Sequence, residues 1–148
     1  MPHPEPIVAA VVRKLGGRGA LGADVASESD LARLVARRIP LRALAHAQKS
    51  GLFSDAELQR LVIPARTRRH REAKRERLTI EESDRLIRLT RLQALAEDVF
   101  EDADKAGRWL RAPLGALGGA APLELARTEA GARVVEQLLA KIEWGAAA

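Results

Sequence analysis

An all-α fold is predicted for this chain by three features of its sequence. Ala, Leu, Arg and Glu dominate, apolar residues recur three and four positions apart, and alternating runs of β-branched or aromatic residues are absent. Helix-start and helix-stop residues punctuate the chain at short intervals. With 148 residues, 47% of them hydrophobic, it suits one mid-sized domain or two small helical ones and can bury a real core.

Taken in order, residues 7–15 are a short apolar segment ended by Gly16 and Gly17, and residues 16–24 read as a mobile connection. Ser27, with Asp30 three residues on, offers a capping box for a helix through Leu31, Leu34 and Val35 to about Arg38. Pro40 fits the first turn of the next helix, whose apolar positions Leu41, Leu44 and Ala45 precede a stop at Gly51. The start at Ser54 is the best specified: Ser54 and Glu57 form a capping box, and Phe53 can pack on Leu58 as a hydrophobic staple. Leu58, Leu61 and Val62 supply the buried stripe. Ile63-Pro64 then interrupts the helix, because proline disfavours the α conformation in the residue before it and itself suits the first turn of a new helix.

A short helix, a tight break and an arginine-rich helix make a helix-turn-helix-like unit, although the glycine often found in such a turn is missing. The basic helix is expected over about residues 65–77. It carries Arg66, Arg68, Arg69, Arg71, Lys74, Arg75 and Arg77 against Glu72 and Glu76. Arginine's planar fork holds a phosphate or a guanine by two hydrogen bonds, so these seven are candidate DNA-binding residues. The run reads equally as a solvated face paired within itself, Glu72 with Arg75 and Glu76 with Lys74.

Thr79 to Glu82 opens the longest helix with another capping box, and Glu81 and Glu82 complement the helix dipole. Leu86, Leu89, Leu92, Leu95, Ala96 and Val99, widened by Ile87 and Phe100, form its core stripe. A short helix from about Asp104 follows, with Trp109 as a core anchor and Pro113 as its end. The Gly-rich segment at 115–119 lacks the Lys-Ser/Thr ending and the preceding strand of a phosphate loop. Pro122 begins a helical turn through Leu123 and Leu125. Thr128 starts the last helix, with Val134, Val135, Leu138, Leu139 and Ile142 expected inward and Gly145 as its stop.

The net charge of +5 is unevenly spread. Residues 60–91 hold 11 basic and 5 acidic groups, whereas residues 92–148 hold 6 and 9, so two surfaces for two partners are expected. The absence of cysteine excludes disulfides and thiolate metal sites, and His3, His46 and His70 are isolated, so no metal or cofactor is expected. No nucleophile elbow or acid–base set is visible, which argues against an enzyme. The proline-bearing N-terminus and the lack of an apolar run near the ~18 residues of a membrane span lead to an expected soluble, cytoplasmic protein with no membrane partner.

The succession RLTIEESDRLIRL, AEDVFEDADKAGRWLRAP and ALGGAAPLELARTEAGARVVEQLLAKIEWG resembles the Xre/MbcA/ParS group of antitoxins. Shared in order are the E-E-S-D-R helix start, the V-F turn, the R-W-L helix, the L-G-G-x-x-P loop, the T-E-x-G turn and an aromatic-Gly end. The likeness spans about residues 64–145. Leu114-Gly115 stands where an Asn-Pro pair is usual and Trp144 where a tyrosine is usual. The resemblance implies an Xre-like helix-turn-helix domain over 25–78 and a toxin-binding domain over 79–148, whereas residues 1–24 match nothing in the family and are expected to be a flexible N-terminal segment. It further implies a cognate toxin of the RES type, similar in fold to ADP-ribosyltransferases and NAD-consuming, which the antitoxin blocks while repressing its own operon on operator DNA, as a homodimer or a larger assembly with the toxin.

Toxin contact is expected near the C-terminal end, at Glu136, Leu139, Lys141, Ile142, Glu143, Trp144 and Gly145, because Trp144 is a large aromatic with little chain after it to cover it. The rival arrangement folds Trp144 back on Trp109 or Leu110 as a core cap. A rival function keeps the helices and drops the toxin, leaving a stand-alone transcriptional regulator or a helical adaptor.

Overall fold

The computed structural model describes residues 5–147, so His3 lies outside it; among these residues all regular structure is helical. The chain divides into two compact units, one over Glu5–Ile87 and one from Arg88 onward, and the division falls within a single long helix.

The first unit opens with α1 (Ile7–Lys14) and α2 (Gly17–Leu21). α2 stands where a mobile connection was expected. Gly16 and Gly22 both take left-handed backbone, at φ 98° and 72°, so they cap a five-residue helix instead of loosening it. Leu15 and Leu21 are buried, and the Arg42 guanidinium donates to the Ala20 carbonyl at 3.0 Å. Burial of two leucines, each worth about 1.5–3 kcal/mol, fixes a segment too short to announce itself by periodicity.

α3 (Glu28–Ala36) starts as expected, with Ser27 Oγ accepting the Asp30 N–H at 3.1 Å. Asp30 reaches back to the Ala26 N–H, one residue earlier than a capping box requires. α3 stops short of Arg38, which sits at φ 69°. The Arg38 side chain donates to the carbonyls of Leu78 and Arg77, at 2.7 and 3.0 Å, and Arg77 Nη1 donates back to the Arg38 carbonyl at 3.1 Å. Beside them the Leu78 N–H donates to the Ile39 carbonyl, and the Ile39 N–H donates to the fully buried Ser83 hydroxyl. These bonds offset the cost of left-handed backbone at a non-glycine residue.

α4 (Leu41–Lys49) buries Ala43, Leu44 and Ala47. α5 (Asp55–Leu61) has its full capping box, Ser54 with Glu57 in both directions, and Phe53 and Leu58 are both buried. After the break comes α6 (Ala65–Lys74), then α7 (Ile80–Phe100), whose start is boxed by Thr79 and Glu82. Arg85, one turn into α7, donates twice to the Val62 carbonyl at the end of α5.

In the second unit the remainder of α7 buries Leu89, Leu92, Ala94 and Ala96. Leu95, Val99 and Phe100 are only half-buried, so the expected stripe narrows toward the helix end. Glu101, at φ 55°, turns the chain into α8 (Ala103–Arg111). Asp102 caps α8 by accepting the Lys105 N–H, and Trp109 packs obliquely on Phe100 with ring centroids 5.5 Å apart. A 3-10 turn at Gly115–Leu117 and α9 (Pro122–Leu125) lead to α10 (Glu129–Ala147).

Gly131 in the first turn of α10 is indispensable to that approach: a Cβ there would stand 1.8 Å from the Leu125 carbonyl oxygen. The T-E-x-G turn thus has a steric reason, and the Thr128 hydroxyl accepts the Gly131 N–H at 3.0 Å. Two expectations for α10 are corrected. Gly145 does not stop it, since a mid-helix glycine costs only about 1 kcal/mol relative to alanine. Val134 points outward, 45% exposed, while Ala132, Val135 and Leu139 are buried and Leu138 and Ile142 half-buried.

Candidate functional site

The seven basic residues of the arginine-rich segment fall into three groups. The first group is internal. Arg68 donates to Gln48 Oε1 at 2.7 Å and to Glu72 Oε1 at 2.9 Å, leaving its side chain 17% exposed. Arg71 pairs with Glu82, and both side chains are largely buried, at 13% and 7% exposure. Glu82 accepts the Thr79 N–H at 2.8 Å as well, so one carboxylate caps α7 and holds α6.

The second group is the outer side of α6, where Arg66 and Arg69 are exposed together with His70 and Ala73. Positions three and four apart share a helix face, which separates these residues from Arg68 and Arg71 on the other side. Neither Arg66 nor Arg69 forms an ion pair among the described residues. His70 was missed as a member of this face; the 66/69/70/73 spacing was the signal that could have placed it.

Arg75 and Arg77 make the third group, with Lys74 at the helix end. The expected helix over 65–77 ends at Lys74, because Arg75 turns left-handed at φ 56° and the N–H groups of Arg75 and Glu76 close back on the carbonyls of Glu72 and Arg71. Arg75 and Arg77 therefore lie on an exposed strap after the helix, Arg77 being tied to Arg38. The internal pairing expected for Glu72 with Arg75 is replaced by Glu72 with Arg68. The turn between α5 and α6 does without glycine, since Val62 (φ −121°) and Pro64 (φ −58°) both keep negative φ.

On α10 the residues expected to meet a partner separate in the same way. Trp144 is 76% exposed, which rules out the rival arrangement as a core cap. Lys141, Glu143 and Gly145 are exposed, and Glu136 and Ile142 half-buried. Leu139 is in the core, 2% exposed, and packs the helix to its own unit. Val134 and Gln137, which sequence reasoning missed, are exposed at helical spacing with Lys141 and Trp144, making one continuous outer stripe. The second unit also has an acidic edge, Glu97 through Asp104, on which the Lys105 N–H holds the Asp102 carboxylate below the usual range.

Among the described residues no cluster of His, Asp and Glu is arranged to hold a metal, and no helix is long and apolar enough to cross a membrane.

Comparison with known proteins bears on both surfaces. Residues 30–91 match the family model for the antitoxin Xre-like helix-turn-helix domain, and residues 95–145 that for the antitoxin Xre/MbcA/ParS C-terminal toxin-binding domain. The chain is 40% identical over 84 residues to Antitoxin Xre of Pseudomonas putida, an alignment covering 57% of this chain and 53% of that protein. It is 31% identical over 109 residues to Antitoxin Xre of Photorhabdus laumondii, covering 72% and 74%. With the Prs ADP-ribosylating antitoxin of Sphingobium sp. it shares 30% identity over 127 residues, covering 80% and 72%. The chain thus spans about half the length of the Pseudomonas relative and near three quarters of the other two. Both recognised domains occur in tandem, in the order that the helices of α3–α7 and α7–α10 follow, and the chain belongs to the Xre/MbcA/ParS family of antitoxins.

Proposed function

We propose that this antitoxin silences a cognate toxin of the RES type by covering its NAD cleft, and represses its own operon by binding operator DNA through α6. The exposure of Trp144 at the end of α10, within the domain matched by the toxin-binding model, carries the first half of this reading. An exposed aromatic rimmed by charge is an effective interface anchor, and removing one often costs about 2 kcal/mol or more of binding. Lys141, Glu143 and Trp144 would lie over the cleft, with Glu136 and Glu143 meeting a basic rim. A toxin that uses NAD accords with the ADP-ribosylation named for the Sphingobium relative. Two copies of the antitoxin would present two α6 helices to two half-sites, as small helix-turn-helix readers do; sedimentation of the free protein as monomer only, at high concentration, would count against the dimer.

Truncation after Ala140 tests the toxin half. It removes the exposed Lys141, Glu143 and Trp144 while Ala132, Val135 and Leu139 stay in the core. The shortened chain should keep its helical circular dichroism and operator retardation yet fail to protect cells expressing the toxin. Undiminished protection would move the interface elsewhere on the unit.

A further inference from the structure

The sorting of the arginines goes beyond an electrostatic footprint. We infer that Arg66 and Arg69, flanked by His70, form a base-reading edge directed at neighbouring guanines, while Arg68 and Arg71 are positioning residues that fix the pitch and rotation of that edge. The inference rests on the proposal that α6 is the DNA-reading helix.

Three observations carry it. Arg66 and Arg69 lie in the N-terminal half of α6, the part of such a helix that meets base edges in the major groove. They are exposed and have no carboxylate partner among the described residues, so their guanidinium forks remain available. Three residues advance a helix by about 4.5 Å, close to the base-pair rise of about 3.4 Å. The two forks are therefore set for adjacent or next-adjacent pairs.

Arginine donates two parallel hydrogen bonds to guanine O6 and N7, a pattern that no other base presents in that groove. His70 lies one turn beyond Arg66 on the same face, where an imidazole N–H can donate to a purine N7. The cations beyond the helix suit a different task. Lys74 and Arg75 stand at its C-terminal end and Arg77 is tied to the Arg38 carbonyl, so they fit phosphates, which fix register without reading sequence.

Arg68 and Arg71 explain how so polar a helix can aim at all. α6 has no buried residue, so its orientation is set by the bond from Arg68 to Gln48 and by the pair of Arg71 with Glu82, while Glu72 within α6 holds the Arg68 fork in place. Bidentate readout needs its donors held to within about 0.5 Å, which a helix resting on loose contacts would not provide.

Selection of binding sites from a random duplex library by the full-length protein tests the assignment. The wild type should enrich a motif with at least two guanines within about four base pairs. Arg66→Lys and Arg69→Lys, which keep the charge and lose the fork, should each cut discrimination at one guanine position by about ten-fold or more, with the salt slope of binding unchanged. Arg68→Gln and Arg71→Gln should weaken retention of every sequence and leave the preferred base at each position as it was. A guanine-poor motif, or one that survives both lysine variants, would overturn the assignment. A folded wild type that retains no duplex of any sequence at low salt would instead remove DNA binding itself.

Discussion

α6 and α10 are fastened to their units by opposite means. α6 buries no residue and is held by two arginines whose partners, Gln48, Glu72 and Glu82, come from α4, α6 itself and α7. α10 inserts Ala132, Val135 and Leu139 into a core and makes its closest approach through Gly131. Apolar burial is worth more free energy but has no direction, whereas a hydrogen-bonded pair is worth little net and fixes an angle. The difference teaches why each helix can present what it does: α6 offers an outer face of arginines while its inner side is held mainly by Arg68 and Arg71, with Ala65 and Thr67 only half-buried, and α10 can carry an exposed tryptophan because its other face supplies the stability.

The sharpest way to break this contrast is at Gly131. Gly131→Ala would put a methyl group 1.8 Å from a backbone oxygen that cannot swing aside as a side chain could, so α9 and α10 must separate. A loss of about 3 kcal/mol in urea denaturation is expected, at the upper end of overpacking costs. A change within about 0.5 kcal/mol, the range of a neutral surface substitution, would show that the approach is not tight.

The polar fastening predicts a different pattern. Arg71→Met strands a carboxylate that is 7% exposed and should cost about 2 kcal/mol, below the 3–5 kcal/mol of a fully buried pair because Thr79 still donates to Glu82. Adding Glu82→Gln, which keeps an acceptor for Thr79 without the charge, should restore most of that loss. Operator affinity should stay low in the double variant, since the charge pair that ties α6 to α7 is gone. If affinity recovers together with stability, the pair supplies only stability and the contrast between the two helices collapses.

What could be read in the sequence follows from how local each cause is. The starts at Ser27, Ser54, Thr79 and Thr128 were legible because a cap is settled within four residues. The all-α class and the order of the two domains were legible for the same reason, through periodicity and spaced motifs. The stops were not: Arg38, Arg75 and Glu101 end helices in left-handed backbone without being glycine, and for Arg38 the bonds that make this possible come from residues 77 and 78. The candidate site was half legible. Seven basic residues could be found by composition, but their division into braces and free forks depends on Gln48 and Glu82, which are distant in sequence and become neighbours only in the fold. Of the residues expected inward, Leu139 is buried, which removes it from the expected toxin contacts, while Val134 faces out; the inward side of α10 is set by where Gly131 docks, and no periodicity count shows that.

The smallest effect concerns acid, and it separates the carboxylate that caps α8 from the hydroxyls of Ser54 and Thr128 that cap α5 and α10. Ser54 and Thr128 accept their amide bonds at any pH, but Asp102 does so best as a carboxylate, and the Lys105 N–H bond lowers its pKa. A lowered folded-state pKa means stability that is present above the unfolded value and is lost as pH falls through the folded one. Asp102→Asn keeps an oxygen for the Lys105 amide and removes the charge facing the helix N-terminus, so it should lower the thermal midpoint slightly at neutral pH. Below about pH 4, near the ordinary aspartate value, the wild type should converge on the variant as its own carboxylate protonates. The measurement is the difference in midpoint between the two proteins, followed from about pH 7 to about pH 3 across that titration. A gap that stays constant or widens in acid would mean that the Asp102 charge contributes nothing and that its oxygen acts only as a neutral acceptor, leaving the second unit with no acid-sensitive fastening at α8.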